Sequence, residues 1–215
     1  AALSTHNLAS NGDGYNVGIG YNAGGAVTTG INNTLIGGLA GDAITTASYS
    51  VAVGQGAATN TTTSSQGFTA VGADSLFTNT TGTDNVAVGR ASMYYNTTGA
   101  NNVAVGRSAL QANTTASSLV AVGYAALGSN TTGAGNVAVG TNALLDSTTG
   151  GNNTAVGNNS LFSNITGADN TVMGFEGMKA STTGADNTSV GYQSLYDNST
   201  GSFNASFGHR ALFNN

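Results

Sequence analysis

Asn85-Val86-Ala87-Val88-Gly89-Arg90-Ala91-Ser92-Met93-Tyr94-Tyr95-Asn96-Thr97-Thr98-Gly99-Ala100-Asn101 is one period of the chain. Its Gly89 belongs to a series that runs Gly20, Gly37, Gly54, Gly72, Gly89, Gly106, Gly123, Gly140, Gly157, Gly174, Gly191, Gly208, each ending a short apolar run. Ten of the eleven intervals are 17 residues, and one, Gly54 to Gly72, is 18. Self-similarity at a fixed period marks a stacked repeat, because one such unit cannot bury its apolar face without its neighbours. The repeat fills residues 1–215, which reads as a single β-solenoid domain with atypical N-terminal coils over 1–58 and regular coils over 59–215.

Each column of the repeat carries a physical preference. The residue before the motif glycine is apolar throughout (Val88, Val105, Val122, Val139), and two residues earlier stands Val or Thr in all copies but one, where Ala205 replaces it. This alternation predicts a short strand with its β-branched residues turned into the core. Four residues after the glycine, Leu76, Met93, Leu110, Leu127, Leu144, Leu161, Met178, Leu195 and Leu212 form a second apolar column expected to face the first. The first three coils put Gly24, Gly41 and Ala58 there instead. Thr-Thr-Gly segments such as those at Gly82, Gly99 and Gly133 read as turns. Asn85, Asn102, Asn136 and their equivalents, and Asn79, Asn96, Asn113 and Asn130, predict Asn ladders that hydrogen-bond up and down the stack. With equivalent residues stacked at ~4.8 Å, the expected shape is an all-β rod of twelve coils.

Between the two β-branched columns runs a column of small residues: Ala87, Ala104, Ala121, Ala138, Ala155, with Leu35 and Val172 as larger exceptions. If the β-branched residues point inward, this column points outward, and its size ceiling implies close contact with another surface. Ala87, Ala104, Ala121, Ala138 and Ala155 are thus the expected oligomer interface, and closed symmetry is the default form of such a contact.

The unit Asn102-Val103-Ala104-Val105-Gly106-Arg107-Ser108-Ala109-Leu110 resembles the YadA-like head repeats of trimeric autotransporter adhesins, and similar repeats occur in bacteriophage tail fibres. The resemblance recurs in nearly every coil. It implies a left-handed parallel β-roll, a homotrimer, and display on an extracellular cell-surface fibre or virion that attaches to a host receptor, glycan or matrix. The 17-residue coil is longer than the usual head repeat, and no neck motif, heptad stalk or barrel anchor is present in the sequence. The chain begins at Ala1 without Met, which suggests a processed or excised segment. A self-assembling structural filament subunit is the alternative function, and an ice-binding solenoid a third.

Composition narrows the remaining classes. Of 215 residues, 33 are Gly, 31 Thr and 27 Asn, while only 6% are charged and Pro, Cys and Trp are absent. A net charge of −5, with four Lys and Arg residues, provides no basic stripe for phosphates, so nucleic acid is not an expected partner. No run of 18 apolar residues exists to cross a bilayer as a helix, and no membrane insertion is expected.

Catalysis, cofactors and metals are likewise not expected. His6 and His209 lie far apart along the chain, and Glu176 is the sole glutamate. Asp84, Asp169 and Asp186 recur at one repeat position as turn residues, in no calcium-loop spacing. Gly12-x-Gly14 lacks the strand-to-helix setting of a phosphate loop and reads as a turn. Threonines such as Thr97, Thr114 and Thr131 stack as one column, whereas ice-binding solenoids present paired Thr-x-Thr files. The candidate ligand-binding residues are Tyr94, Tyr124, Tyr192, Arg90 and Arg107, which fall in columns free to vary from coil to coil. Tyr and Arg are common anchors at binding surfaces.

Overall fold

The computed structural model describes residues 5–6, 14–62 and 66–215; Gly12 lies outside them. Twelve three-residue strands, from β2 (Val17–Ile19) to β13 (Ala205–Phe207), form one continuous parallel sheet in sequence order. They build an all-β solenoid of about 11 turns, with no helix among the described residues. The atypical N-terminal coils belong to the same sheet. One further strand, β1 (Thr5–His6), pairs antiparallel with β2 and covers the N-terminal edge of the ladder. The register is uniform: Val86, Ala87 and Val88 sit beside Val103, Ala104 and Val105. It also survives the 18-residue interval, where Val51 still pairs with Thr69. Thr61 holds the position of Asn96 and Phe68 that of Asn102, so the extra residue falls between Thr61 and Phe68.

The two faces of the strand are the reverse of the sequence expectation. Ala87, Ala104, Ala121, Ala138 and Ala155 are fully buried within the single chain, while the β-branched residues on either side are half-buried or exposed. The alanines therefore belong to the core and cannot form an oligomer interface. Size exchanges make the direction plain. Where Leu35 replaces the alanine, the Leu column holds Gly41, and a Cβ on Gly41 would stand 2.9 Å from Leu35 Cδ2. Where Val172 replaces it, Gly177 gives way, and a Cβ there would lie 2.8 Å from Val172 Cγ1. Small residues are required because the interior is thin. Leu76, Met93, Leu110, Leu127, Leu144 and Leu161 fill its opposite side, as expected, at 0% exposure.

Left-handed backbone closes each coil. In the coil of Gly89, φ is +128° at Gly89, +54° at Ala91, +51° at Met93 and +57° at Asn101, and the same columns repeat through the chain. A Cβ on Gly89 would lie 2.6 Å from the Gly106 carbonyl oxygen, so both conformation and space demand glycine there. Gly24 and Gly41, which hold the Leu column in the first coils, share its left-handed backbone, with φ of +62° and +57°.

Asparagine completes the interior. Asn85 Nδ2 donates to the Gly99 carbonyl of the next coil (2.7 Å), and its Oδ1 accepts from the Asn102 backbone N–H (3.0 Å). This column therefore ties side chain to backbone across coils, and Asn170, Asn187 and Asn204 add amide-to-amide bonds. The second column is a side-chain ladder: Asn96 Nδ2 donates to Asn79 Oδ1 (2.7 Å), Asn113 to Asn96 (2.8 Å) and Asn130 to Asn113 (3.2 Å). Ser147 and Ser181 interrupt it. At those two breaks Asn130 Oδ1, Ser147 Oγ, Asn164 Oδ1 and Ser181 Oγ are buried without a partner.

Ser147→Asn and Ser181→Asn should each raise unfolding stability by about 1 kcal/mol in denaturant melts, by giving Asn130 and Asn164 the donor that their column lacks. Ala104→Leu should destabilise the chain by about 1–3 kcal/mol through overpacking; unchanged stability would return the alanine column to the surface.

Candidate functional site

The variable columns lie outside the strand, at the first and fifth positions after each motif glycine. The backbone ladder continues through the first of these. Ser108 N–H donates to the Arg90 carbonyl and Ala125 N–H to the Arg107 carbonyl, both at 3.0 Å. Side chains at the first position thus emerge one rung apart, in the order Arg90, Arg107, Tyr124, Thr141, Asn158, Phe175, Tyr192, His209. Arg90, Arg107, Tyr124 and Tyr192 are exposed, and Tyr94 is half-buried.

Stacking along the rod divides the candidate residues. Tyr192 is sandwiched between Phe175 (5.3 Å between centroids, 8° between planes) and His209 (5.1 Å, 7°). Tyr94 lies flat on Phe77 at 4.8 Å and meets Tyr95 edge-on at 4.6 Å. Such pairs stabilise the fold, and they occupy ring faces that a flat ligand would need. Tyr124 differs. The Arg107 guanidinium stands 5.8 Å from its centroid, and the next rung carries Thr141, which has no ring to stack on it. The five candidates are therefore not one site: Arg90, Arg107 and Tyr124 are consecutive in one column, while Tyr94 and Tyr192 belong to separate stacks.

The charged groups are sparse. Lys179 Nζ donates to Glu176 Oε1 at 2.6 Å, the sole ion pair among the described residues, and Gln193 Nε2 donates to Glu176 Oε2 at 2.9 Å. Hydrogen bonds from Lys179 and then Gln193 hold the Glu176 carboxyl below its ordinary range, and the bond to Glu176 raises Lys179. A carboxyl lowered in the folded state adds stability above its unfolded pKa that is lost as pH falls through the folded value. Burial raises the Asp42 carboxyl. Asp84, Asp169 and Asp186 sit at left-handed turn positions with φ of +56°, +58° and +55°. Among the described residues no three His, Asp or Glu side chains converge as a metal site would require. No helix there is long and apolar enough to cross a membrane.

The surface feature that sequence reasoning missed is the outer face of the sheet. Val17 is 44% exposed, Val105 and Val139 36%, Met173 46% and Phe207 67%. None of the outward strand positions from Val17 to Phe207 carries a charge or an amide. The signal was present in the spacing. Asn85 and Ala87 are two residues apart and so share a face, and a hydrogen-bonded Asn ladder needs that face to be the interior.

Alanine replacement of Tyr192 should lower stability by about 0.5–1.5 kcal/mol through lost ring stacking, whereas Tyr124→Ala should leave thermal unfolding nearly unchanged. No protein-family model matches the chain, and comparison with curated proteins and with solved structures finds no match either.

Proposed function

We propose that the chain is an extracellular fibre module, an adhesin head or phage tail-fibre segment, that assembles as a homotrimer and attaches to a host surface or matrix. The observation that carries this reading is the outer sheet face. A strip of Val, Ile and Thr, with Met173, Ala205 and Phe207 towards its end, runs past twelve rungs with no charge, every position half-buried or exposed. Monomeric soluble proteins rarely leave so long an apolar strip in water. A second and third copy of the same flat strip would cover it, in a closed arrangement that accounts for the absence of charge. The interface thus moves from the alanines to Val86, Val88, Val103, Val105, Val137 and Val139. The repeat's resemblance to YadA-like heads supplies the number three, the left-handed sense of the roll and the placement on a cell or virion surface.

The filament alternative has less support. Head-to-tail growth would have to add to β1, a two-residue antiparallel strand, in place of the uniform three-residue parallel register of the other rungs. Ice binding is also weakly supported, because the first threonine of most turns directs its hydroxyl to the protein. Thr97 Oγ1 donates to the Thr114 carbonyl (2.9 Å) and Thr131 Oγ1 to the Thr148 carbonyl (3.0 Å).

Sedimentation equilibrium tests the assembly. A discrete trimer is the expected species, and Val105→Lys with Val139→Lys should give a folded monomer with an unchanged β-sheet circular dichroism signal. A stable wild-type monomer would overturn the proposal; open-ended polymers would favour the filament.

A further inference from the structure

Two of the four strong cations of this acidic chain stand on adjacent rungs of one column. Arg90 and Arg107 are both exposed, and the Ser108 N–H to Arg90 carbonyl bond holds their coils in register, ~4.8 Å apart. Like charges directly opposite in neighbouring strands destabilise the pairing. Among the other charged residues only Asp169 and Asp186, both turn residues, repeat the arrangement on adjacent rungs. Neither guanidinium has a carboxylate partner among the described residues, where the sole ion pair is Lys179–Glu176. Apart from the contact of Arg107 with the Tyr124 ring, the fold gains nothing evident from this pair of charges. On the next rung stands Tyr124, 50% exposed, with Arg107 beside one face and no ring on the other.

We propose that Arg90, Arg107 and Tyr124 form a binding site for a saccharide that carries a carboxylate or sulfate group. The planar guanidiniums offer forked N–H donors that match the geometry of an oxyanion, and two of them one rung apart can share a single group. The open face of Tyr124 offers a flat apolar surface against which the C–H face of a sugar ring packs. A dense polyanion such as nucleic acid suits the site poorly, because two charges on a body of net −5 cannot neutralise a long phosphate chain. A single acidic sugar needs only what these three residues supply. The inference takes its biological role from the attachment function, while its geometry stands apart from it.

Isothermal titration of the intact chain with an oligogalacturonate, a heparin-derived tetrasaccharide and neutral maltotetraose tests the site. The first two separate carboxylate from sulfate as the preferred oxyanion. Binding of at least one acidic saccharide, weakened by added salt, and no binding of the neutral one is the expected result. Arg90→Gln and Arg107→Gln should each reduce affinity about 10-fold, and Tyr124→Ala should reduce it as well. Arg210→Gln, which removes the same charge far along the rod, should leave affinity unchanged. Because the arginines repel one another, Arg90→Gln should not lower the melting temperature, so lost binding cannot be ascribed to unfolding. Failure of both acidic saccharides to bind, or equal binding by the Arg90→Gln, Arg107→Gln double variant, overturns the site. Attachment to cells that persists in that case leaves the adhesive function standing, whereas saccharide binding without attachment overturns that function and keeps the site.

Discussion

The interior of each coil is so narrow that an alanine on the strand and a leucine on the opposite side fill it. Leu35 faces Gly41 and Val172 is matched by Gly177, so a gain on one side is met by a loss on the other. That constraint reaches every other part of the molecule. A side chain with a branched Cβ is excluded from the middle of most strands, and β-branched residues, which favour strands, go to the outer face. The glycine that ends each strand but the last is held by a related crowding, since the carbonyl of the next coil's glycine occupies the space where its Cβ would be.

A thin interior has little apolar area to bury, and hydrogen bonds share its stabilisation. The buried Asn columns satisfy backbone groups at the bends that neither strand nor regular turn would satisfy. Most of these amides have a partner in the coil above or below, so a column is sensitive to a single odd member. The orphaned oxygens beside Ser147 and Ser181 show that sensitivity directly. Such an interior resembles a stack of hydrogen-bonded rungs more than an oil drop.

Much of this was legible in the sequence. The motif glycines gave the strand positions, the Leu column its burial and the Asn columns their stacking. The face of the strand was misassigned because Val86 and Val88 are better core formers than Ala87 in most proteins, and alternation alone does not say which phase faces inward. The answer lay in Asn85, two residues from Ala87, whose ladder needs burial. Left-handed Ala91 and Met93 had no signal at all, because neither residue type favours that region and only the closure of the coil imposes it. The division of the candidate residues was equally hidden. Whether Tyr192 is covered and Tyr124 open depends on which residue stands one rung away, a relation between positions 17 apart.

The extra residue between Thr61 and Phe68 has a practical meaning. The ladder on either side keeps its pairing, with Val51 beside Thr69, although the corner is one residue longer. A corner that absorbs an insertion without loss of register is a graft point, and the same corner recurs in every coil. Peptides inserted at successive corners would be displayed one per rung, at multiples of about 4.8 Å. The rod is in that sense a molecular ruler on which foreign epitopes could be placed at chosen intervals.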